Sequence, residues 1–418
     1  MSKIKSVFAR EILASGGLPS VETTVTLEDG SVGEASVSYG ASAGTKEAFV
    51  LLDNDANRYH GKGMLNAVKN VNEKISPLLR GSEASSQREI DNLLINTDGT
   101  QNKSRLGANA ILSVSMAIAR AAAASQQLEL YEYLQQIFNL KSLNLKFPKP
   151  LAVLIEGGVH ADNSTDLQEY ALAVLKDQSA HENIRLMEEV YLYLKKLLKN
   201  KGYSTNVGNE GAFAPEGIEN NELPLELITQ SIIESGHTIQ DAGIYIDAAA
   251  SEFFKASSYY LKTEHQNLSS QEIIQKYLTW FKKYPIVALE DGLSEFDWEH
   301  WPKLLAEAGK TKIVADDLTV TNTQLWQKAI EKKAANAILI KLNQAGTVTE
   351  TVDCCILAKE HNLSTIPSHR GGGETNDTFL VDLAVAVGSD WIKVGPTRGE
   401  RVCKYNRLMR IEEILNSK

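Results

Sequence analysis

The sequence predicts an α/β protein, an eight-stranded (β/α) barrel preceded by a smaller α+β domain. Three observations carry that expectation. The length of 418 residues exceeds one ordinary core and suits a small domain followed by a barrel of roughly 250 residues. Beyond residue 140 short apolar runs alternate with amphipathic helical patterns, the signature of parallel βα units. Several of those runs end in an ionisable residue, at intervals of about one βα unit.

The elements follow in order. Val21 to Leu27 and Val32 to Ser38 alternate around Glu28-Asp29-Gly30, and Asp-Gly is a strong hairpin signal. Helical periodicity covers Met64 to Leu79, Ile90 to Ile95, the alanine-rich Ala108 to Ala124, and Leu130 to Phe138. The stretch Leu140 to Pro150 lacks periodicity and carries Pro148 and Pro150, so it reads as the linker between domains at 1–140 and 141–418. The barrel strands are expected at Leu151–Ile155, Tyr170–Val174, Ile244–Ile246, Ile286–Leu289, Ile313–Ala315, Ala337–Ile340, Thr365–Pro367 and Trp391–Ile392. Met187, Tyr191 and Tyr193 lie in a helical pattern and read as packing.

Composition narrows the function classes. A hydrophobic fraction of 43% and a charged fraction of 23% are ordinary for a globular chain. A net charge of −10 disfavours nonspecific binding to nucleic acid or anionic membranes, yet leaves a local cationic pocket for a small anion possible. Three cysteines, Cys354, Cys355 and Cys403, build no disulfide framework or zinc site. The N-terminus lacks the apolar segment of a signal peptide and no apolar run of 18 residues is expected, so the location expected is cytoplasmic.

The chemistry lies at the strand ends: Asp247, Glu290, Asp316, Lys341, His369 and Lys393. From Glu290 onward they are spaced by 26, 25, 28 and 24 residues, so they converge at one mouth of a barrel, where barrel enzymes carry their active sites. Singly, each is ordinary on a solvated loop. Together, Asp247, Glu290 and Asp316 make a hard oxygen cage suited to Mg²⁺ or Mn²⁺. A lysine beside such an ion is discouraged from holding its proton and suits a general base.

The words around these residues resemble the enolase family from the N-terminus to Arg410-Ile411-Glu412-Glu413. They include Ser-Val-Glu at 20–22, Gly-Ala-Ser at 40–42, Asn-Lys-Ser-Arg-Leu-Gly-Ala-Asn-Ala-Ile at 102–111 and Gly-Gly-Val-His-Ala-Asp-Asn at 157–163. Gln168-Glu169, Gly-Asn-Glu-Gly-Ala-Phe-Ala-Pro at 208–215, Asp247-Ala-Ala-Ala-Ser-Glu-Phe, Leu289-Glu290-Asp291-Gly292 and Ile-Leu-Ile-Lys at 338–341 continue the match.

The resemblance implies an enolase-type fold and an Mg²⁺-dependent, reversible dehydration of 2-phosphoglycerate to phosphoenolpyruvate, with a lysine base and an enediolate stabilised by metal. On that basis Asp247, Glu290 and Asp316 hold one Mg²⁺, while Ser42 ligates a second that arrives with substrate as its loop closes. Lys341 takes the C2 proton, and Glu210, helped by Glu169, stays protonated to release the C3 hydroxide. His160, His369, Arg370 and Lys393 surround phosphate and carboxylate, beside Gly371. Arg10, Glu22, Arg410 and Glu413 match residues that pair across the family's dimer interface.

The chain also departs from the family pattern. Ala14-Ser15-Gly16-Gly17-Leu18-Pro19 loses an acid, a guanidinium and an amide, and Ala43, Asn209, Ala212 and Val394 replace other motif residues. After Ser-His-Arg the loop reads Gly371-Gly372-Gly373, without the phosphate-binding serine and one residue longer. Such a loop is expected to bind phosphate less tightly or to make room for a larger group. Three readings stay open: a phosphopyruvate hydratase, a paralogue of specialised metabolism similar to carboxyphosphonoenolpyruvate synthase, or a catalytically silent protein on the same scaffold.

Overall fold

The computed structural model describes residues 2–39, 46–140 and 146–417. The N-terminal domain is built on an antiparallel meander of β1 (Ile4–Leu13), β2 (Pro19–Leu27) and β3 (Val32–Ser36). The Asp-Gly turn is present: Gly30 adopts φ +89° and its N–H donates to the Leu27 carbonyl at 3.1 Å. Strand β1 escapes pattern reading because a register shift between Ile4 and Ser6 breaks its alternation.

The Ala108–Ser125 helix lies on this sheet. Its small residues allow close approach: a Cβ on Gly33 of β3 would sit 2.2 Å from the Ala117 carbonyl and from the Ala121 nitrogen. Contrary to the expectation of no such run, these 18 residues are apolar enough to cross a membrane, with a mean hydropathy of 1.3. They are instead a core helix, 83% buried, and the one charge, Arg120, turns outward to the Asp377 carboxylate at 2.7 Å. The helical stretch 65–79 is interrupted by a π turn at Asn70–Ile75. There the Asn72 side chain accepts from Ala9 N and donates to Ala9 O, which ties the stretch to β1.

The second domain carries β4 (Lys149–Glu156), β5 (Glu169–Val174), β6 (Ala242–Asp247), a small antiparallel sheet of β7 (Phe254–Lys255), β8 (Ser258–Leu261) and β9 (Gln266–Leu268), then β10 (Ile286–Glu290), β11 (Lys312–Ala315), β12 (Ala337–Ile340), β13 (Ser364–Pro367) and β14 (Trp391–Val394). Among the described residues eight of these form one sheet in the order β13-β12-β11-β10-β6-β5-β4-β14. A parallel bridge between Ser368 and Lys393 joins β13 to β14 and closes the barrel. Leu151, Val153, Ala171, Tyr245, Val314 and Leu339 fill its interior.

The expectation of parallel strands throughout is corrected at β5, which is antiparallel to both β4 and β6. Only residues 157–168 separate β4 from β5, and they hold one 3₁₀ turn, Gly158–His160. Those twelve residues are at the lower limit for a parallel crossover and carry no α-helix to return the chain, which doubles back instead. The reversal has a consequence for chemistry. It places Glu169, the first residue of β5, in register with Glu156 and Asp247, the last residues of β4 and β6.

Candidate active site

The strand ends meet at one mouth around a cavity of about 270 Å³. Its walls carry His160, Glu169, Glu210, Asp247, Asp316, Lys341, His369, Arg370, Gly371 and Lys393. Glu290, at the end of β10, lies beneath them, completely buried. Ser42, in the 40–45 segment, lies outside the described residues.

Lys393, expected around the phosphate and carboxylate of a substrate, sits among the carboxylates of the site itself. Its Nζ is 2.6 Å from Glu290 Oε2, 2.8 Å from Glu169 Oε2 and 3.4 Å from Asp247 Oδ2. The ring of Tyr245 lies under the ammonium at 5.3 Å, and its hydroxyl donates to Glu290 Oε2 at 2.5 Å. Lys393 lies within β14 rather than after its end, bridged to Ser368, and its side chain is buried inside the barrel rather than on its rim. Burial, then Asp247, pushes Glu290 well above the usual carboxylate range, against the pull of Lys393.

Asp316 follows β11 and is fixed from three sides. Its N–H donates to Asp291 Oδ1 at 3.0 Å, its Oδ1 accepts from Gln344 Nε2 at 2.9 Å, and its Oδ2 pairs with the Lys341 ammonium. Burial favours a neutral Lys341, but Asp316 outweighs it and holds the proton on the lysine. Asp291, Asp316 and Asp317 bring carboxylate oxygens within 4.8 Å of one another. Asp291 is chiefly a support, since it accepts from the main chains of Asp316 and Asp317. Asp247, Glu290 and Asp316 are the hard oxygen donors that a divalent ion takes, and Glu290 Oε1 is buried with no hydrogen-bond partner among the described residues. The three are not drawn within 4.8 Å of one another as Asp291, Asp316 and Asp317 are, however, and the Lys341 and Lys393 ammoniums pair with them.

A second cluster joins two histidines to two glutamates. His160 Nδ1 lies 3.4 Å from Glu169 Oε1 and 3.6 Å from Glu210 Oε1, and His369 Nε2 lies 3.2 Å from Glu210 Oε2. The other His369 nitrogen, Nδ1, is 2.7 Å from Glu374, itself paired with Arg401 and Lys404, each at 2.8 Å. The expectation that Glu210 stays protonated is therefore corrected. Burial raises its pKa, but His369, then His160 and Lys393, outweigh burial and hold Glu210 below the usual carboxylate range. The protons reside on the imidazoles.

This geometry gives a pH prediction. Burial disfavours the His369 cation, but Glu374 and Glu210 prevail and raise its pKa from 6.5 to about 9. The folded state thus binds this proton more tightly than the unfolded chain. Its contribution to stability is complete below pH 6.5 and is lost as the pH rises through about 9. Urea denaturation between these values should show a decline that His369→Gln reduces; an unchanged decline would remove His369 as its source.

Family models match both halves of the chain: "Enolase, N-terminal domain" over residues 4–134 and "Enolase, C-terminal TIM barrel domain" over residues 144–418. The chain belongs to the enolase family. It is an enolase-superfamily lyase by that membership, with acidic clusters at the barrel mouth that are able to hold a metal ion.

The glycine loop does not open the space that the sequence suggested. A Cβ on Gly371 would lie 1.8 Å from Glu210 Oε1, and one on Gly373 would lie 2.1 Å from the Tyr39 carbonyl oxygen. The volume that a side chain vacates is filled by Glu210 and by main chain. Gly372 in turn faces Gly16, whose Cβ would be 2.9 Å from the Gly372 carbonyl. Ser15 seals the contact, its N–H donating to Glu374 O at 2.7 Å and its Oγ accepting from Glu374 N at 2.9 Å. The shortened side chains at 14–17 and the glycine loop at 371–373 are two faces of one close backbone contact. Gly371→Ala is expected to displace Glu210 and lower turnover while the fold persists, read by steady-state kinetics beside circular dichroism.

Arg370 reaches across to Glu47 Oε1 at 3.1 Å, on the segment that follows the undescribed loop. The residues matched to the enolase dimer interface have partners within the chain: Arg10 with Glu22 at 2.6 Å, and Glu413 with His181 at 3.2 Å, while Arg410 is exposed. Tyr191 is buried and stacks on Phe213 at 4.6 Å, and Met187 is buried, as packing residues.

Sequence reading passed over Glu156, Glu47, Tyr245 and Glu374. Glu156 ends β4 immediately after the apolar run and obeys the same strand-end rule as Asp247 and Glu290. Tyr245 and Glu374 carry no such signal, since only closure of the barrel brings them against Lys393 and His369.

Proposed function

We propose that this member of the enolase family catalyses the reversible, Mg²⁺-dependent dehydration of 2-phosphoglycerate to phosphoenolpyruvate. The observation that carries the reading is that a lysine on a carboxylate and a histidine–glutamate proton cluster line the same 270 Å³ cavity. Elimination across C2–C3 needs both, one to take a proton and one to give a proton.

Lys341 removes the C2 proton after giving up its own, which a cation taking the ammonium's place on Asp316 would favour. The His369 and His160 imidazoliums hold the proton that the departing C3 hydroxide needs, and Glu210, between them, relays it, with Glu169 holding His160 in place. Asp247, Glu290 and Asp316 would hold one Mg²⁺, and Ser42 with substrate a second. The metal supplies positive charge against the second negative charge that develops on the substrate carboxylate. Lys393 contributes permanent positive charge at the floor of the same site, and Arg370 offers a guanidinium fork to a phosphate.

A homodimer through Arg10, Glu22, Arg410 and Glu413 and a cytoplasmic location belong to this reading. The filled space beside Gly371 favours the ordinary phosphate over a larger group at phosphorus. The test is direct ultraviolet detection of enolpyruvate formation from 2-phosphoglycerate. Turnover that needs Mg²⁺ and disappears with chelator supports the proposal; Mg²⁺-dependent binding without turnover would overturn it.

A further inference from the structure

One buried carboxyl at the mouth has no role in this account. Glu156 is fully buried at the end of β4, and its Oε2 accepts the Glu210 main-chain N–H at 3.0 Å. Its Oε1 has no hydrogen-bond partner, and among the described residues no cation pairs with it. The chain closes tightly around it: a Cβ on Gly208 would lie 2.6 Å from Glu156 Cδ, and Asn209 N donates to His160 O at 3.1 Å.

The groups that face it come from four elements. They are Glu210 on the 205–215 loop, His160 on the 3₁₀ turn, Glu169 in register on β5, and Tyr191 on the Ala180–Asn200 helix. The Tyr191 hydroxyl is engaged by Arg398, at 3.0 Å from Nε and 2.8 Å from Nη2.

We infer that Glu156 is a positioning residue that works as a neutral carboxylic acid, fastening the Glu210 main chain to β4 without adding a negative charge behind Glu169 and Glu210. A buried carboxylate requires a cation or several donors, and Glu156 has a single N–H. Burial first, then the Glu210 charge, push it up to about 8. Below that pH the two imidazoles face three carboxylates, Glu169, Glu210 and Glu374. Ionisation of Glu156 adds a fourth anion, which tightens the protons on His160 and repels an anionic substrate.

The inference rests on the proposed substrate only in its kinetic arm, so two measurements are needed. Infrared difference spectra of the full-length protein, wild type minus Glu156→Gln, should show a protonated carboxyl band at pH 6.5 that fades as the pH passes 8. No such band overturns the inference, whatever the substrate. Should Glu156→Gln not fold, Glu156→Asn gives the same subtraction. In the kinetic arm, KM for 2-phosphoglycerate should rise up to about tenfold per pH unit above the Glu156 pKa. Glu156→Gln should flatten that rise, whereas Glu156→Leu, which strands the Glu210 N–H, should lower kcat at every pH. The same profile for both variants overturns the inference. An absence of turnover with 2-phosphoglycerate in every variant, with the infrared band present, refutes the substrate and leaves Glu156 as a neutral acid standing.

Discussion

Replacing Lys341 by alanine is expected to lower turnover of 2-phosphoglycerate by about 10³-fold, the middle of the range for a positioned general base. The structure also predicts which property survives. Lys341 occupies Asp316 Oδ2, so its ammonium competes with any cation for that oxygen. Removing it should leave Mg²⁺ affinity equal or higher, measured by calorimetry. Exchange of the substrate C2 proton with deuterated solvent should disappear along with turnover, which separates loss of the base from loss of later steps. A variant that exchanged this proton at the wild-type rate would exclude Lys341 as the base. One that lost Mg²⁺ binding instead would make Lys341 a structural member of the metal site.

Lys393→Met should damage stability more than any other single change at the mouth. The side chain is buried and serves three buried carboxylates, Glu169, Asp247 and Glu290. Taking one partner from a buried ion pair leaves uncompensated charge and costs about 3–5 kcal/mol. The cost should depend on pH with a definite sign. Carboxylates stranded together take up protons more readily in the folded state than in the unfolded one, so the variant should recover stability as the pH falls. Added Mg²⁺ should recover part of it at pH 7, since binding to the folded state alone stabilises by mass action. Chemical denaturation at pH 5 and 7, with and without Mg²⁺, checks all three statements. Wild-type stability at pH 7 would show that Lys393 does not neutralise the cluster.

Much of this is legible in the sequence. A hydrophobic run followed by an acid or a lysine, repeated at intervals of one βα unit, forecast Asp247, Glu290, Asp316 and Lys341 at one barrel mouth, because a strand that is buried on both faces is apolar along its length and turns polar where it emerges. The hairpin of β2 and β3 was legible in its Asp-Gly turn. Strand β1 was not, since its bulge breaks the alternation on which such readings depend.

What the sequence by itself determined was therefore local: which runs become strands, where polar residues leave them, and which family's motifs they repeat. Only the tertiary structure decided what depends on closing the barrel. It reversed β5 and carried Glu169 to the active mouth. It drew Lys393 inward to three carboxylates and Asp316 to Lys341, which fixed where the protons rest. It also filled the space beside Gly371 with Glu210, from a loop far away in sequence. The physical reason is common to all of these. A residue's charge state and the room around it are set by atoms brought near by long-range packing, which no local pattern encodes.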